Sequence, residues 1–176
     1  NMRVSMDAVR EAGKLCEGVL CYTGDIHDPN RAKYDLAYYV DLAKQLEAAG
    51  AHIIGIKDMA GLLKPAAATA LIKALKVATD LPLHLHTHDT SGISGATLLS
   101  AIDAGVDAVD AAMDAMAGLT SQPALGSIVA ALEGTERATG LDMEAIRRIS
   151  FAWEDTRRQY TPFESDLKAP ASEVYL

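Results

Sequence analysis

Apolar positions in this chain follow two rhythms in turn, short buried runs and helical spacings, and their order predicts a series of strand–helix units. Asp7 to Leu15 reads as the end of a helix stopping around Gly13. The run from Gly18 to Asp25 is apolar and closed by turn residues, the signal of a buried strand. A polar loop containing Asp28-Pro29-Asn30 covers His27 to Lys33. From Tyr34 to Ala49, Leu36, Tyr39, Val40, Ala43, Leu46 and Ala49 fall at helical spacing, and Gly50 ends that helix. His52 to Asp58 is a second buried strand. Pro65 opens a helix through Ala78, at a first-turn position where its missing N–H costs nothing. Leu81-Pro82 leads into a third strand from Leu83 to His88, and Gly95 to Ala104 is the next helix, stopped by Gly105. Val106 to Ala112 is a fourth strand and Pro123 to Leu132 its helix. Beyond Gly140 the pattern changes to one amphipathic helix, Asp142 to Tyr160, and an irregular arm from Pro162 to Leu176.

Strand–helix units with short connections imply an α/β fold with a parallel sheet, because parallel neighbours require crossovers. The period of roughly 30 residues is that of successive βα units and not of a solenoid. A doubly wound sheet and a (β/α)8 TIM barrel both fit this order. The first asks for a glycine-rich phosphate loop after its first strand, and Tyr22-Thr23-Gly24-Asp25 is not one. Polar residues gather instead at the strand exits, at Asp25, Lys57-Asp58, His86-His88-Asp89 and Asp110 or Asp114, where barrel enzymes place their chemistry.

Composition narrows the function classes. The 176 residues are enough for a domain with a real core, and 49% of them are apolar. A net charge of −8 speaks against a nucleic-acid partner and an anionic membrane surface. No apolar run approaches the roughly 20 residues of a membrane span, and Asn1 to Ser5 lacks a secretory core. The two cysteines, Cys16 and Cys21, make no disulfide framework, so a cytoplasmic setting and buried core roles are expected for them.

The candidate chemistry centres on the third strand. Spacing two puts His84, His86 and His88 on one face. His86 and His88, at the exit, form a divalent-metal clamp whose bound metal would act as a Lewis acid on a ligand oxygen, or else a hydrogen-bonded core pair. His84, one pleat deeper, is expected to be buried below them. Lys57 ends a strand of apolar residues, so it must be paired, neutral or modified. A neutral amine can add carbon dioxide and ligate metal as a carbamate, and an ion pair with Asp58 or another acid is the alternative. Asp89-Thr90-Ser91-Gly92 reads as a turn whose hydroxyls cap the next helix, a role compatible with one at the site, and Gly118 to Pro123 has the same two readings, with capping preferred.

Ile56-Lys57-Asp58-Met59-Ala60-Gly61-Leu62-Leu63-Lys64-Pro65, the histidine strand, and Asp110 to Gly118 with Thr120-Ser121-Gln122-Pro123 resemble the carboxyltransferase domain of biotin-dependent enzymes acting on pyruvate. The arm from Pro162 to Tyr175 is similar specifically to that of pyruvate carboxylases. The resemblance implies a (β/α)8 barrel of which this chain carries the C-terminal half, strands five to eight, over residues 1–140. Residues 141–176 would lead to the later helical part of the domain. It implies Lys57 as a carbamylated metal ligand, His86 and His88 as histidine ligands of zinc or manganese, and Met59 as a residue bordering the substrate and biotin pocket. By the same resemblance, biotin and the use of ATP belong to other domains. The fourth metal ligand, the pyruvate-binding residues and the proton-shuttling threonine lie outside this chain. The expected partners are pyruvate, carboxybiotin, those other domains and further copies in a tetramer. The isolated chain is expected to be inactive. An oxaloacetate decarboxylase or transcarboxylase subunit of the same superfamily is the nearest alternative, and an inactive structural piece with an empty metal site is the alternative of another class. The cytoplasm is the expected location, or the mitochondrial matrix in a eukaryote.

Overall fold

The computed structural model describes residues 2–30, 32–164 and 166–176, so Asn1 of the N-terminal stretch, Arg31 of the polar loop and Ser165 of the arm lie outside the described residues. The elements run α1 (Met2–Glu11), β1 (Glu17–Tyr22), α2 (Leu36–Ala48), β2 (Ile53–Asp58), α3 (Pro65–Ala78), β3 (Leu83–Thr87), α4 (Ser94–Ala104), β4 (Ala108–Val109), α5 (Leu125–Leu132) and α6 (Met143–Tyr160). Short 3-10 turns stand at Ala32–Tyr34, Asp114–Met116, Thr161–Phe163 and Ser172–Tyr175.

The strands form one parallel sheet in sequence order, β1-β2-β3-β4. Sequential parallel order follows from each helix carrying the chain back over the sheet before the next strand begins. Alternation then sorts the side chains. Leu20, Tyr22, Ile54, Ile56, Leu83 and Leu85 turn to one face and are buried with Tyr39, Ala43, Leu46, Leu71, Leu75, Leu98 and Ala101 from α2, α3 and α4. The other face carries Glu17, Val19, Cys21, Lys57, His84 and His86, none of them buried. Helices on one face only are what an arc of a barrel requires, whereas a doubly wound sheet carries them on both.

Local chemistry sets the helix ends. Asp35 accepts the Tyr38 N–H at 2.8 Å and caps α2, and Gly50 beyond its end takes a φ of +94°. Asp142 caps α6 through the Glu144 N–H at 2.9 Å. Gly105 closes α4 in the left-handed conformation. Tyr22 stacks on Tyr39 with ring centroids 5.2 Å apart, and the Tyr22 and Tyr39 hydroxyls accept the N–H groups of Ile26 and Thr23. Burial pushes the Tyr22 phenol well above its ordinary range.

The fourth strand departs from the expected span of Val106 to Ala112. Only Ala108–Val109 pairs in register with β3, while the flanking Asp107 and Asp110 N–H groups still reach the carbonyls of Leu83 and Leu85. Ala112 leaves to pair with Ala124 instead. That bridge holds Pro123 and Ala124 out of the following helix, which begins at Leu125.

Candidate metal centre

Parallel register sets Lys57 of β2 opposite His86 of β3, on the face without helices. His88 follows one residue past the end of β3 and folds back over the same spot. Its Nε2 lies 2.9 Å from Lys57 Nζ and 3.2 Å from His86 Nε2. The three sequence-predicted groups therefore converge at the C-terminal exit of two adjacent strands.

The partners of the two rings decide which nitrogens are free. His88 Nδ1 lies 2.7 Å from the Thr120 carbonyl, which can only accept, so this nitrogen carries the proton. His86 Nδ1 lies 2.6 Å from Asp110 Oδ2, again an acceptor, so it too is protonated. In the neutral rings this puts a lone pair on each Nε2, the two atoms 3.2 Å apart beside an amine. Two such lone pairs repel unless a positive group lies between or beside them. A donor set of this kind fits a divalent cation. Among the described residues no cluster of three or more His, Cys, Asp or Glu side chains stands ready to hold a metal; Lys57 is the group beside the Nε2 atoms, while the Asp110 carboxylate sits at the other nitrogen of His86.

Below this pair a polar ladder continues into the sheet. Asp110 bridges His86 and His84, with Oδ1 3.0 Å from His84 Nε2, and His84 Nδ1 meets Glu17 Oε1 at 2.8 Å. Only an imidazolium can donate to carboxylates at both nitrogens. Burial works against the His84 charge, but Asp110 and Glu17 outweigh it and raise the imidazole above its ordinary value. Burial likewise opposes the Asp110 charge, yet the hydrogen bonds from His86 and His84 hold that carboxyl below the usual range. Gly55 makes the ladder possible: a Cβ there would collide with the Glu17 carboxylate as it crosses β2 towards His84.

Asp58, next to Lys57, points the other way. It is fully buried and accepts the N–H groups of Leu62 and Leu63, each at 2.9 Å, and the Thr87 hydroxyl at 3.1 Å. It thereby shapes the loop after β2 and forms no pair with Lys57. The loop after β3 is tied to this one where Ser91 Oγ donates to the Gly61 carbonyl at 2.8 Å, and the Tyr175 hydroxyl donates to that carbonyl at 2.9 Å. Gly61 takes a φ of +73°, and a Cβ there would lie 2.9 Å from the His88 carbonyl, so the loops close only around glycine. Met59 stands 61% exposed at the rim. Asp25, at the exit of β1, pairs with Lys64 at 2.6 Å, away from the histidines.

Four expectations for side chains change. His84 is not buried, with a quarter of its side chain exposed, because no described residue packs over the inner face. Cys16 is buried as expected, but Cys21 is exposed, since alternation along β1 turns it to that same open face. Thr120-Ser121 does not cap α5: the Asp114 carboxylate takes the Gly126 N–H at 2.8 Å, while the Thr120 and Ser121 carbonyls receive His88 Nδ1 and the Asp89 N–H. In the 89–92 turn the cap of α4 is the Asp89 carboxylate, 3.0 Å from the Ser94 N–H, more than the hydroxyls. Of the two aspartates at the fourth strand's exit, Asp110 joins the histidines. Glu17 went unnoticed in the sequence, although strand alternation puts it on one face with Cys21; the Thr120 carbonyl, a backbone atom, leaves no sequence signal.

The inner face holds a shallow hollow of about 230 Å³ lined by Lys57, His84, His86, Asp110 and Glu17. A larger one, about 580 Å³, lies between the 116–121 loop and the C-terminal arm and includes none of the three converging groups. Chemistry and not size therefore marks the site.

Known proteins resemble this chain along nearly its whole length. The HMGL-like family model matches residues 5–152. Pyruvate carboxylase of Bacillus subtilis (strain 168) is 53% identical over 174 residues, covering 99% of this chain and 15% of that protein. The structure of the carboxyl transferase domain from Rhizobium etli pyruvate carboxylase with pyruvate and biocytin is 70% identical with a TM-score of 0.97, covering 99% of this chain and 29% of that one. The complete multifunctional pyruvate carboxylase from Rhizobium etli gives a TM-score of 0.98 at 70% identity, covering 99% of this chain and 17% of that one. The chain thus spans about 15% of the length of the curated relatives it matches. It belongs to the HMGL-like family, and its four parallel strands with their helices are part of that family's TIM-barrel domain, similar over nearly their whole length to the carboxyl transferase domain of the Rhizobium etli enzyme.

Proposed function

We propose that this chain is the C-terminal half of the barrel, strands five to eight over residues 1–140, with residues 141–176 leading to the later helical part of the domain. In the whole protein it serves to transfer a carboxyl group from carboxybiotin to pyruvate, giving oxaloacetate. The convergence of Lys57 Nζ, His88 Nε2 and His86 Nε2 carries this reading. These are the metal ligands, Lys57 as a carbamate whose oxygens replace the amine, and Met59 lines the pocket beside them. A bound zinc or manganese ion supplies Lewis acidity towards the oxygens of the substrate.

The chain's own residues hold that arrangement rigid. Thr120 and Asp110 keep the lone pairs of the two rings turned to the common point. The buried Asp58 anchors the loop that follows Lys57. Pyruvate and biotin are the partners suggested by the Rhizobium etli structure, which contains pyruvate and biocytin. Biotin attachment and ATP use fall to other domains, and the assembly is a homo-oligomer in the cytoplasm or, in a eukaryote, the mitochondrial matrix. No described helix is long and apolar enough to cross a membrane. The isolated chain, with its inner face open, is inactive.

The test is a coupled assay for oxaloacetate from pyruvate on the intact protein, with Lys57→Ala and His86→Ala beside the wild type. Both substitutions should abolish product, and ¹³C-bicarbonate should give a carbamate resonance that Lys57→Ala lacks. Full activity in Lys57→Ala would overturn the assignment.

A further inference from the structure

The hydrogen-bonded ladder beneath the two histidines has no place among the proposed ligands, yet it controls one of them. We propose that Asp110, braced by the His84–Glu17 pair, is a positioning residue that fixes the tautomer and ring orientation of His86 for cation binding. The inference rests on the metal-site reading above and goes beyond it, because it assigns a role to residues that touch neither cation nor substrate.

The geometry carries the argument. Asp110 Oδ2 stands 2.6 Å from His86 Nδ1 and Oδ1 stands 3.0 Å from His84 Nε2, so each carboxylate oxygen is committed to a different ring. A carboxylate that grips one ring alone is free to rotate about its last bond. One that grips two is held in plane, and the orientation of His86 is held with it. His84 is in turn held at its far nitrogen by Glu17, 2.8 Å away, whose carboxylate crosses β2 over the bare backbone of Gly55. The ladder alternates carboxylate, imidazole, carboxylate, imidazole from β1 across to β3. Every hydrogen bond in it runs from a ring N–H to a carboxylate oxygen, and this leaves His86 Nε2 as the one ring nitrogen of the ladder with a lone pair to offer. Removing the carboxylate at 110 would let His86 take the opposite tautomer, with a proton where the cation binds. Partners of this kind typically change metal affinity about 10–100-fold.

The experiment measures zinc(II) affinity by chelator competition, and the melting temperature of the metal-free form, for the intact protein. Wild type, Asp110→Asn, His84→Gln and His86→Ala are compared. Asp110→Asn keeps the size of the side chain but sets an amide donor against one of the two rings. It should lower zinc affinity about 10–100-fold while the metal-free melting temperature stays close to that of wild type. His84→Gln, which leaves Asp110 tied to His86 alone, should shift affinity in the same direction by less. It decides the matter if Asp110→Asn does not fold. Zinc binding in Asp110→Asn within about twofold of wild type, or in His84→Gln equal to it where only that variant folds, overturns the positioning role. If wild type itself binds zinc no better than His86→Ala, the metal-site reading fails, and the positioning role falls with it.

Discussion

The two faces of this sheet are built from the same strands and have opposite chemistry. On the helix-covered face Leu20, Ile54, Ile56, Leu83 and Leu85 are at most 1% exposed, and the one acid there, Asp58, spends its carboxylate on backbone N–H groups and a hydroxyl. On the open face Glu17, His84, Asp110 and His86 hydrogen-bond to one another in a continuous chain, and His88, which meets Lys57, brings its Nε2 to 3.2 Å from that of His86. Neighbouring residues of one strand thus serve different ends. The covered face holds the fold together and the open face holds a constellation in place. Stability and function are separable here one residue at a time.

The sharpest way to break that separation is to compare Leu85→Ala with His86→Ala. Truncating Leu85 in a close-packed core should cost about 2–5 kcal/mol in denaturant unfolding. His86→Ala should stay within about 1 kcal/mol of wild type and lose cation binding. A His86→Ala protein as unstable as Leu85→Ala would show that the open face carries the fold as well. Next in size is Asp58→Asn, which keeps the shape but sets an amide donor among buried N–H groups. It should destabilise by about 1–3 kcal/mol, although Asp58 adjoins a proposed ligand. Gly55→Ala, on the open face, should cost about 1 kcal/mol, because the Glu17 carboxylate it displaces is the end of a flexible chain but Val19 Cγ2, 2.9 Å from the new Cβ, must shift as well. Zinc affinity should nonetheless fall, since the ladder loses its outer brace.

The smallest effect is a pH dependence at the rim. Burial acts to raise the Asp25 carboxyl, but Lys64 and the His27 N–H outweigh it and hold it below its ordinary value. A carboxyl lowered by folding stabilises the native state above its unfolded value, about 3.9, and that stabilisation is lost as the pH falls through the lower, folded value. Wild type should therefore exceed Asp25→Asn in denaturant midpoint at neutral pH, with the gap closing as the pH falls below the ordinary carboxylate range. A gap that widens on acidification would contradict the assignment.

Much of this was legible in the chain itself. The helix Pro65–Ala78 is found with the expected bounds because a first-turn proline marks its start. The helix expected from Asp142 starts at Met143, just after its cap, whereas the one expected from Tyr34 starts only at Leu36, where the Asp35 cap puts it. The fourth strand was over-read, since the apolar alternation from Val106 to Ala112 does not reveal that Ala112 leaves to pair with Ala124. At the site, the doublet His86 and His88 could be read from spacing alone, whereas Asp110 could not be told from Asp114. The burial predicted for His84 assumed a covered interior. Glu17 reaches His84 across the intervening β2, a contact between residues 67 apart in sequence.

The sequence by itself determined the rhythm of the elements, and with it which residues of each strand share a face, because alternation is a local property of extended backbone. It also determined that two imidazoles and a lysine end adjacent strands. Only the tertiary structure decided which carboxylate meets which ring, and that a loop carbonyl fixes His88. Those choices depend on the register between strands brought together by helical crossovers, and no local pattern encodes that register.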